Sequence, residues 1–154
     1  MMSHNKITIL VVDGQGGGIG SRVVAALRSL ITKSDKCKND PSCPTVIAVG
    51  TNSAATSAML RAGADNAATG ENALKVNARR ADLIIGPVGI VVADSLLGEI
   101  SPDMAAAVAQ SPAKRILIPV NAAGCDNIVA GARDKSVAEL VEDAVKAAAE
   151  AVGI

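Results

Sequence analysis

The stretch VVDGQGGGIGSR, from Val11 to Arg22, joins an apolar run to a glycine-rich turn and then to a helix-like pattern. Five of the seven residues from Gly14 to Gly20 are glycines. Glycine suits a position where the chain turns sharply or where a ligand approaches the backbone closely. The stretch therefore predicts a strand-to-helix turn whose backbone is open to a ligand.

The segments around this turn predict an alternation of strands and helices. Apolar, β-branched runs indicate strands buried on both faces of a parallel sheet, and they cover Lys6–Val12, Thr45–Gly50, Ala81–Pro87 and Lys114–Val120. Helices are predicted after the strands by apolar spacing or by helix-start residues. They begin at Ser21 and at Pro102, and they cover Ser53–Ala62 and residues 135–152. In the last of these, Ser136 and Glu139 form a capping box. Parallel strands need crossover connections, so the alternation predicts an α/β fold. We expect a single Rossmann-like domain over residues 1–154, a three-layer sandwich with a mostly parallel sheet and a polar insertion loop over residues 33–44.

Composition and charge exclude several classes of partner. The chain has 15 Lys and Arg residues and 15 Asp and Glu residues, so its net charge is zero and no nucleic-acid partner is expected. No apolar run reaches the roughly 18 residues of a membrane span, and Met1–Lys6 is too short and polar for a signal peptide. These observations predict a cytoplasmic protein without a membrane partner.

The residue types that are missing restrict the chemistry. The chain contains no Phe, Tyr or Trp, which excludes the tyrosine acid of short-chain dehydrogenases and the aromatic platforms of RNA-stacking modules. The one histidine, His4, lies in the polar amino-terminal segment, so histidine catalysis is disfavoured.

The three cysteines argue against a disulfide framework, because their number is odd in a chain predicted to be cytoplasmic. Cys37 and Cys43 belong to the polar loop and are interpreted as ordinary loop residues, with a metal-ligand or redox pair as the alternative. Cys125 has no downstream histidine to activate it and is interpreted as a packing residue.

The glycine-rich turn is the main candidate binding site. Unpaired N–H groups and the helix dipole favour an anion at the start of a helix, and glycines leave the approach unobstructed. The candidate residues of this turn are Asp13, Gly14, Gln15, Gly16, Gly17, Gly18, Ile19 and Gly20. The dinucleotide pattern G-x-G-x-x-G fails because Ile19 stands where its third glycine is needed, whereas Gly14, Gly18 and Gly20 fit the G-x-x-x-G-x-G spacing that resembles short-chain dehydrogenases.

Other interpretations of the turn remain open. A Walker A loop requires a Lys and a Ser or Thr where this chain has Ser21 and Arg22, although Arg22 could still neutralise a phosphate. The segment GGGIGSR resembles the phosphate loop of tubulin-like GTPases over a few residues only. The structural alternative is a tight turn whose glycines serve packing alone.

The loops after the other strands supply further candidates, because ligands of such folds bind at the carboxyl ends of the strands. Thr51, Asn52 and Ser53 are neutral where an NAD site would offer an acid to the ribose, so NADP or a mononucleotide fits at least as well as NAD. The remaining candidates follow later elements and are Glu71, Asn72, Gly86, Pro87 and Asn121. Helix capping is the alternative explanation for most of these polar residues.

Several segments together resemble one known family. They are DGQGGGIG (13–20), GTNSAATSAMLRAGAD (50–65), ATGENA (68–73), IIGPVGIVVADSLLGEIS (84–101) and ILIPVN (116–121). They are similar to a family of short bacterial proteins that is described only as a domain of unknown function. The resemblance extends over most of the chain to about Asn121 and implies no activity, cofactor or site residue.

The leading functional hypothesis is binding of a nucleotide, a dinucleotide such as NAD(P), or another phosphorylated metabolite through the glycine-rich turn. One alternative is an enzyme that uses Asp13, Glu71, Asp94 or Glu99 as an acid or base, and another is a scaffold protein without a ligand. We also expect a homodimer, because Val88–Leu97 would be apolar on more than one face if it were helical. The alternative to a dimer is that this apolar surface is covered within one chain, by Ser101–Gln110 or by the C-terminal helix.

Overall fold

The structure is a computed structural model that describes residues 6–38, 40–120, 129–132 and 134–154. The strands in these ranges are β1 (Thr8–Asp13), β2 (Thr45–Gly50), β3 (Asn66–Thr69), β4 (Leu83–Pro87) and β5 (Lys114–Ile118). The helices are α1 (Gly18–Lys33), α2 (Ser53–Arg61), α3 (Glu71–Ala78), α4 (Pro102–Gln110) and α5 (Val137–Val152). His4, Asn121 and Cys125, whose roles were predicted from the sequence, lie outside the described residues.

The described strands form one five-stranded parallel sheet in the order β3-β2-β1-β4-β5. The predicted α/β class with a parallel, Rossmann-like sheet is therefore confirmed. The chain first builds the sheet outward from β1 through β2 to β3, and then returns to the other side of β1 with β4. The reversal leaves a crevice at the carboxyl ends of β1 and β4, which is where open α/β sheets bind their ligands.

The side chains of β1 show why its sequence is a continuous apolar run. Ile9 and Val11 pack in the core between the sheet and the layer formed by α1, α2 and α5, whereas Leu10 and Val12 pack in the core under α3 and α4. Successive side chains of a strand point to opposite faces, so a strand covered on both faces has no polar position. Burial on both faces holds β1, and thus the start of the glycine-rich turn, in the centre of the molecule.

Two element predictions differ from the structure for physical reasons. The edge strand β3 was not predicted, since its sequence NAAT has no apolar run and its Asn66 and Thr69 are exposed. Helix α1 begins at Gly18 rather than at Ser21, so three of the residues predicted as turn belong to the helix. Tertiary contacts stabilise both segments against their weak intrinsic propensities.

The segment Val88–Leu97 is not a helix, so the argument for an all-apolar helix was wrong. Only Val88–Val91 forms a short 3-10 helix, and Asp94, Leu96 and Leu97 follow in left-handed backbone with φ of 63°, 55° and 57°. The buried side chains of this region, Ile90, Leu96 and Ile100, pack against Met104, Ala105 and Val108 of α4. The buried apolar side chains of this segment are therefore covered by α4 of the same chain, as the alternative to the dimer proposed.

The polar loop before β2 contains a disulfide bond between Cys37 and Cys43, whose Cα atoms are 5.2 Å apart. The odd number of cysteines argues against a disulfide framework, and this one local bond is compatible with it because an odd number excludes only complete pairing. Both sulfur atoms are committed to this bond, so the two residues are not free thiolate ligands for a metal.

The capping box predicted for the C-terminal helix is confirmed. The Ser136 hydroxyl accepts the Glu139 N–H at 3.3 Å, and the Glu139 carboxylate accepts the Ser136 N–H at 2.7 Å, which forms the predicted capping box at the start of α5. Among the described residues, no helix combines the length and the apolar character needed to cross a bilayer.

Candidate functional site

A cavity of about 380 Å³ lies at the crevice between the carboxyl ends of β1 and β4. The glycine-rich turn and the first turns of α1 form one wall, with Asp13, Gly14, Gln15, Gly16, Gly18, Ile19 and Arg22. The opposite wall is aliphatic and consists of Pro87, Leu96, Val120 and Val137. The predicted turn and Pro87 therefore meet in one cavity, whose character is polar on the β1 side and apolar on the other.

Asp13 ends β1 at the inner end of this cavity and is only 4% exposed. Its carboxylate accepts the N–H of Gly14 at 2.8 Å and the N–H of Gly20 at 2.6 Å. The second bond satisfies a backbone donor in the first turn of α1, which is why the helix can begin among glycines. Asp13 thus acts as a buried cap that connects the sheet to the helix.

Burial raises the pKa of Asp13 above its ordinary value of 3.8, because a charged carboxylate is poorly solvated there. Hydrogen bonds from the backbone of Gly20, Gly14 and Ile19 oppose this rise, and the negative charge of Glu99 adds to it. A carboxyl group with a raised pKa beside a cavity is a typical candidate for proton transfer.

The five glycines of the turn fall into two groups according to what a Cβ atom would meet. A Cβ on Gly14 would lie 2.8 Å from the Thr51 hydroxyl oxygen, and one on Gly20 would lie 2.5 Å from the Met59 sulfur. Gly17 has a φ of 70°, and its Cβ would lie 2.8 Å from a backbone atom of α2. The alternative that glycines serve packing therefore explains Gly14, Gly17 and Gly20.

Gly16 and Gly18 have no such explanation within the described residues. A Cβ on either would meet nothing within 4 Å, and neither backbone is left-handed. Both residues line the cavity. They are the positions of the turn at which a side chain would extend into open space beside the cavity rather than into the protein.

Gln15 is held in left-handed backbone, with a φ of 48°, by polar groups from distant parts of the chain. Its N–H donates to the Glu99 carboxylate at 2.8 Å, and its carbonyl oxygen accepts the Asn52 side-chain amide at 2.9 Å. The same Glu99 oxygen accepts the Asn52 amide at 2.9 Å and the Thr51 hydroxyl. Thr51 and Asn52 therefore support the turn from behind and do not line the cavity.

The pKa of Glu99 is lowered from its ordinary value. Partial burial alone would raise it, but hydrogen bonds from the Thr51 hydroxyl, the Gln15 N–H and the Asn52 amide outweigh that effect. The sequence suggests Glu99 only as a possible acid or base. Its contact with Gln15, 84 residues away in the chain, has no local sequence pattern that would predict it.

The other predicted site residues lie elsewhere in the fold. Ser53 is exposed at the start of α2, where the Asn52 side chain caps the helix by accepting the Ala55 N–H at 2.9 Å. Glu71 accepts the Ser101 hydroxyl at 2.6 Å and, with the exposed Asn72, begins α3. None of these residues is part of the cavity lining.

Gly86 is a packing residue of β4. A Cβ at this position would lie 2.3 Å from the carbonyl oxygen of Val12 in β1. Three apolar residues of the cavity, Leu96, Val120 and Val137, were not predicted. Leu96 lies between β4 and α4, Val120 follows β5 and Val137 begins α5, and only the tertiary fold brings them together.

Comparison with known proteins gives a family and a fold. The family model described as "Domain of unknown function (DUF3842)" matches residues 8–153. The chain belongs to this family. The resemblance noted in the sequence is thereby confirmed, and the match extends through α5. No curated protein sequence matches the chain.

Among solved structures, the crystal structure of a dodecameric FMN-dependent UbiX-like decarboxylase from Escherichia coli O157:H7 is similar to this one. The TM-score is 0.51 and the sequence identity is 16%, and the alignment covers 96% of this chain and 95% of that chain. At this identity the similarity shows a common fold, and it does not carry an activity from one protein to the other.

Proposed function

We propose that this DUF3842 protein binds a phosphorylated small molecule in the cavity at the ends of β1 and β4. The observation that carries the proposal is the pair Gly16 and Gly18, which line the cavity and at which a Cβ would meet none of the described residues within 4 Å. Gly18 and Arg22 are four residues apart in α1, so they lie on the same face of the helix. A phosphate beside Gly16 and Gly18 therefore meets the Arg22 guanidinium as well as the start of the helix dipole.

The proposed phosphate position differs from a cradle made by the whole turn. The N–H groups of Gly14 and Gly20 donate to Asp13, and the N–H of Gly17 donates to the Gly14 carbonyl at 2.9 Å. These donors are engaged within the protein, and a ligand gains nothing by competing with a buried carboxylate. The anion is accordingly assigned to the Gly16–Gly18 edge of the turn and to Arg22.

The aliphatic wall suits the uncharged part of the ligand. Leu96 and Val137 in this wall, together with Ile19 from the glycine-rich turn, offer flat apolar surface to a ring system, although the chain has no aromatic side chain for stacking. A volume of about 380 Å³ favours a mononucleotide over a complete dinucleotide such as NADP. FMN is a reasonable first test ligand, since it has one phosphate and the structurally similar decarboxylase is FMN-dependent.

Substitution of Gly18 by Val is the direct test of this proposal. We expect affinity for the bound mononucleotide to fall on the order of tenfold or more, because the new side chain occupies the space of the phosphate. Calorimetric titration with FMN, NADP, AMP and inorganic phosphate measures the effect. Ala25→Val adds a similar side chain to an exposed position of the same helix and is the matched control.

Arg22→Ala extends the test to the charge. Affinity for FMN, AMP and phosphate should fall, whereas binding of riboflavin or adenosine, which lack the phosphate, should change little. Arg61→Ala, at an exposed position of α2 outside the cavity, is the control. Unchanged phosphate affinity in folded Gly18→Val and Arg22→Ala proteins would refute the assignment.

An enzymatic role is the second candidate, and Asp13 is the observation that favours it. This residue borders the cavity, and burial keeps its pKa above the ordinary value, so it can hold a proton for a bound substrate. Conversion of a bound ligand by the wild-type protein, absent in an Asp13 variant that still binds it, would establish an enzyme.

We also propose that the protein forms a homodimer through the segment Val92–Leu97. Leu97 is 83% exposed, and it lies in a segment where Asp94, Leu96 and Leu97 all adopt left-handed backbone. Left-handed backbone in three non-glycine residues is costly and requires firm support from the surroundings. The similar decarboxylase is dodecameric, which shows that its version of this fold assembles into oligomers.

Leu97→Asp should reduce the mass measured by light scattering from about twice 15.4 kDa to 15.4 kDa. In a symmetric contact the introduced carboxylate would be buried without a counter-charge, and it would lie close to the same carboxylate of the second protomer. Leu60→Asp, at a half-exposed position on α2, should leave the mass unchanged. A wild-type mass of 15.4 kDa at every concentration would refute the dimer.

A further inference from the structure

We infer that Glu99 is a positioning residue that holds the glycine-rich turn in the shape required for binding. The inference rests on the proposed function and adds to it the residue that determines the geometry of the phosphate position. Glu99 itself does not line the cavity, so it acts through Gln15.

The peptide groups on both sides of Gln15 are fixed by side chains. Glu99 accepts the Gln15 N–H at 2.8 Å, and the Asn52 amide donates to the Gln15 carbonyl at 2.9 Å. Left-handed backbone is uncommon and unfavourable for a non-glycine residue such as Gln. The intrinsic backbone preference of Gln does not favour this conformation, so the two hydrogen bonds are what stabilise it.

The carbonyl of Gln15 and the N–H of Gly16 belong to one planar peptide unit. In a trans peptide these two groups point in opposite directions, so the bond from Asn52 also fixes the direction of the Gly16 N–H. That N–H is held on the side of the peptide away from Asn52. A change in the Gln15 conformation would therefore redirect an N–H group at the Gly16–Gly18 edge, where the proposed function places the phosphate.

Glu99 also holds Thr51 and Asn52, the two residues that support the turn, in position. One of its carboxylate oxygens accepts the Gln15 N–H, the Thr51 hydroxyl and the Asn52 amide. Three donors converging on one oxygen match an ionised carboxylate, and the lowered pKa agrees with that charge. Without this acceptor, Asn52 loses one of the two contacts that orient its side chain toward Gln15.

The backbone that carries Glu99 continues directly from the exposed Leu97. Asp94 donates its N–H to the Ile100 carbonyl at 2.8 Å, and Ile100 donates to the Ser95 carbonyl at 3.2 Å, so the segment is closed on itself. These backbone bonds enclose Glu99 within the loop and so limit where its carboxylate can lie relative to Gln15.

The test compares Glu99→Ala and Glu99→Gln with the wild-type protein, using inorganic phosphate as the probe and ¹⁵N-labelled protein for NMR. In Glu99→Ala, the Gln15 and Gly16 amide signals should shift strongly, and phosphate affinity should fall on the order of tenfold. Glu99→Gln retains a neutral acceptor and should recover part of both losses. Glu150→Ala, an exposed carboxylate on α5, should change neither measurement.

The outcomes separate the two proposals. Wild-type protein that binds no phosphate, while the Gln15 signal still depends on Glu99, would overturn the proposed function alone. Wild-type protein that binds phosphate, with an equally tight Glu99→Ala variant, would overturn the positioning role alone. If Glu99→Ala fails to fold, Glu99→Gln supplies the same comparison, and equal affinity of Glu99→Gln and wild type with unshifted Gln15 and Gly16 signals would overturn the role of the charge.

Discussion

Replacing Gly86 by alanine is expected to lower the free energy of unfolding by about 3 kcal/mol or more, because β1 and β4 cannot keep their spacing. The added Cβ would lie 2.3 Å from the Val12 carbonyl oxygen and 3.1 Å from a methyl group of Ile90. The first contact is with backbone in the centre of the sheet, which has no rotamer to change. Thermal denaturation should show a decrease in Tm of roughly 10 °C.

Gly16→Ala is the control for this prediction. Its Cβ would meet no described residue within 4 Å, and its backbone is not left-handed, so stability should change by no more than about 0.5 kcal/mol. Equal stability losses in both variants would mean that the spacing of β1 and β4 does not constrain Gly86. The comparison also tests whether Gly16 is free of a packing role, on which the proposed binding site depends.

Replacing Asp13 by asparagine is expected to destabilise the protein by about 1–3 kcal/mol. The two carboxylate oxygens accept backbone N–H groups of Gly14 and Gly20, and an asparagine side chain has only one oxygen. One buried N–H would then face an NH₂ group and lose its acceptor. Urea denaturation of the wild type and the variant measures the difference.

Asp82→Asn is the matched control. The Asp82 carboxylate also accepts a backbone N–H, from Thr8 at 2.8 Å, but at an exposed position where water can replace it. Its substitution should therefore cost much less than that of Asp13. A similar cost at the two positions would contradict the importance of burial at Asp13.

The stability loss in Asp13→Asn should also depend on pH. Because the folded protein holds the Asp13 proton more tightly than an unfolded chain with a pKa of 3.8, the contribution of Asp13 is greatest below pH 3.8. It decreases as the pH rises through the raised pKa, and asparagine does not titrate. The difference between wild type and variant should narrow from acid toward neutral pH, and a difference that widens would contradict the raised pKa.

The two predictions concern neighbouring strands at the same crevice. Gly86 permits the close approach of β4 to β1, and Asp13 joins the end of β1 to the start of α1. Both residues were candidates for ligand binding in the sequence, and the structure gives both a role in building the site. A binding assay on their variants would consequently mix loss of fold with loss of contact, and Gly18 and Arg22 are the better positions for that purpose.

The sequence by itself determined the α/β class, four of the strands in the described region and the position of the turn at the end of β1. Apolar runs such as Thr45–Gly50 and the capping box at Ser136 depend on neighbours within a few residues, so their patterns are visible in the chain. The edge strand Asn66–Thr69 escaped prediction because its pairing with β2, and not its composition, makes it a strand.

Only the tertiary structure decided which residues of the candidate site belong together. Gly16 and Gly18 have the same sequence context as Gly14 and Gly20, and they differ in whether Thr51 or Met59 packs against them from another element. Glu99 supports Gln15 across 84 residues, and nothing local signals that contact. Helix and strand patterns arise from near neighbours, whereas free space at a glycine and convergence on a carboxylate arise from distant segments that meet only after folding.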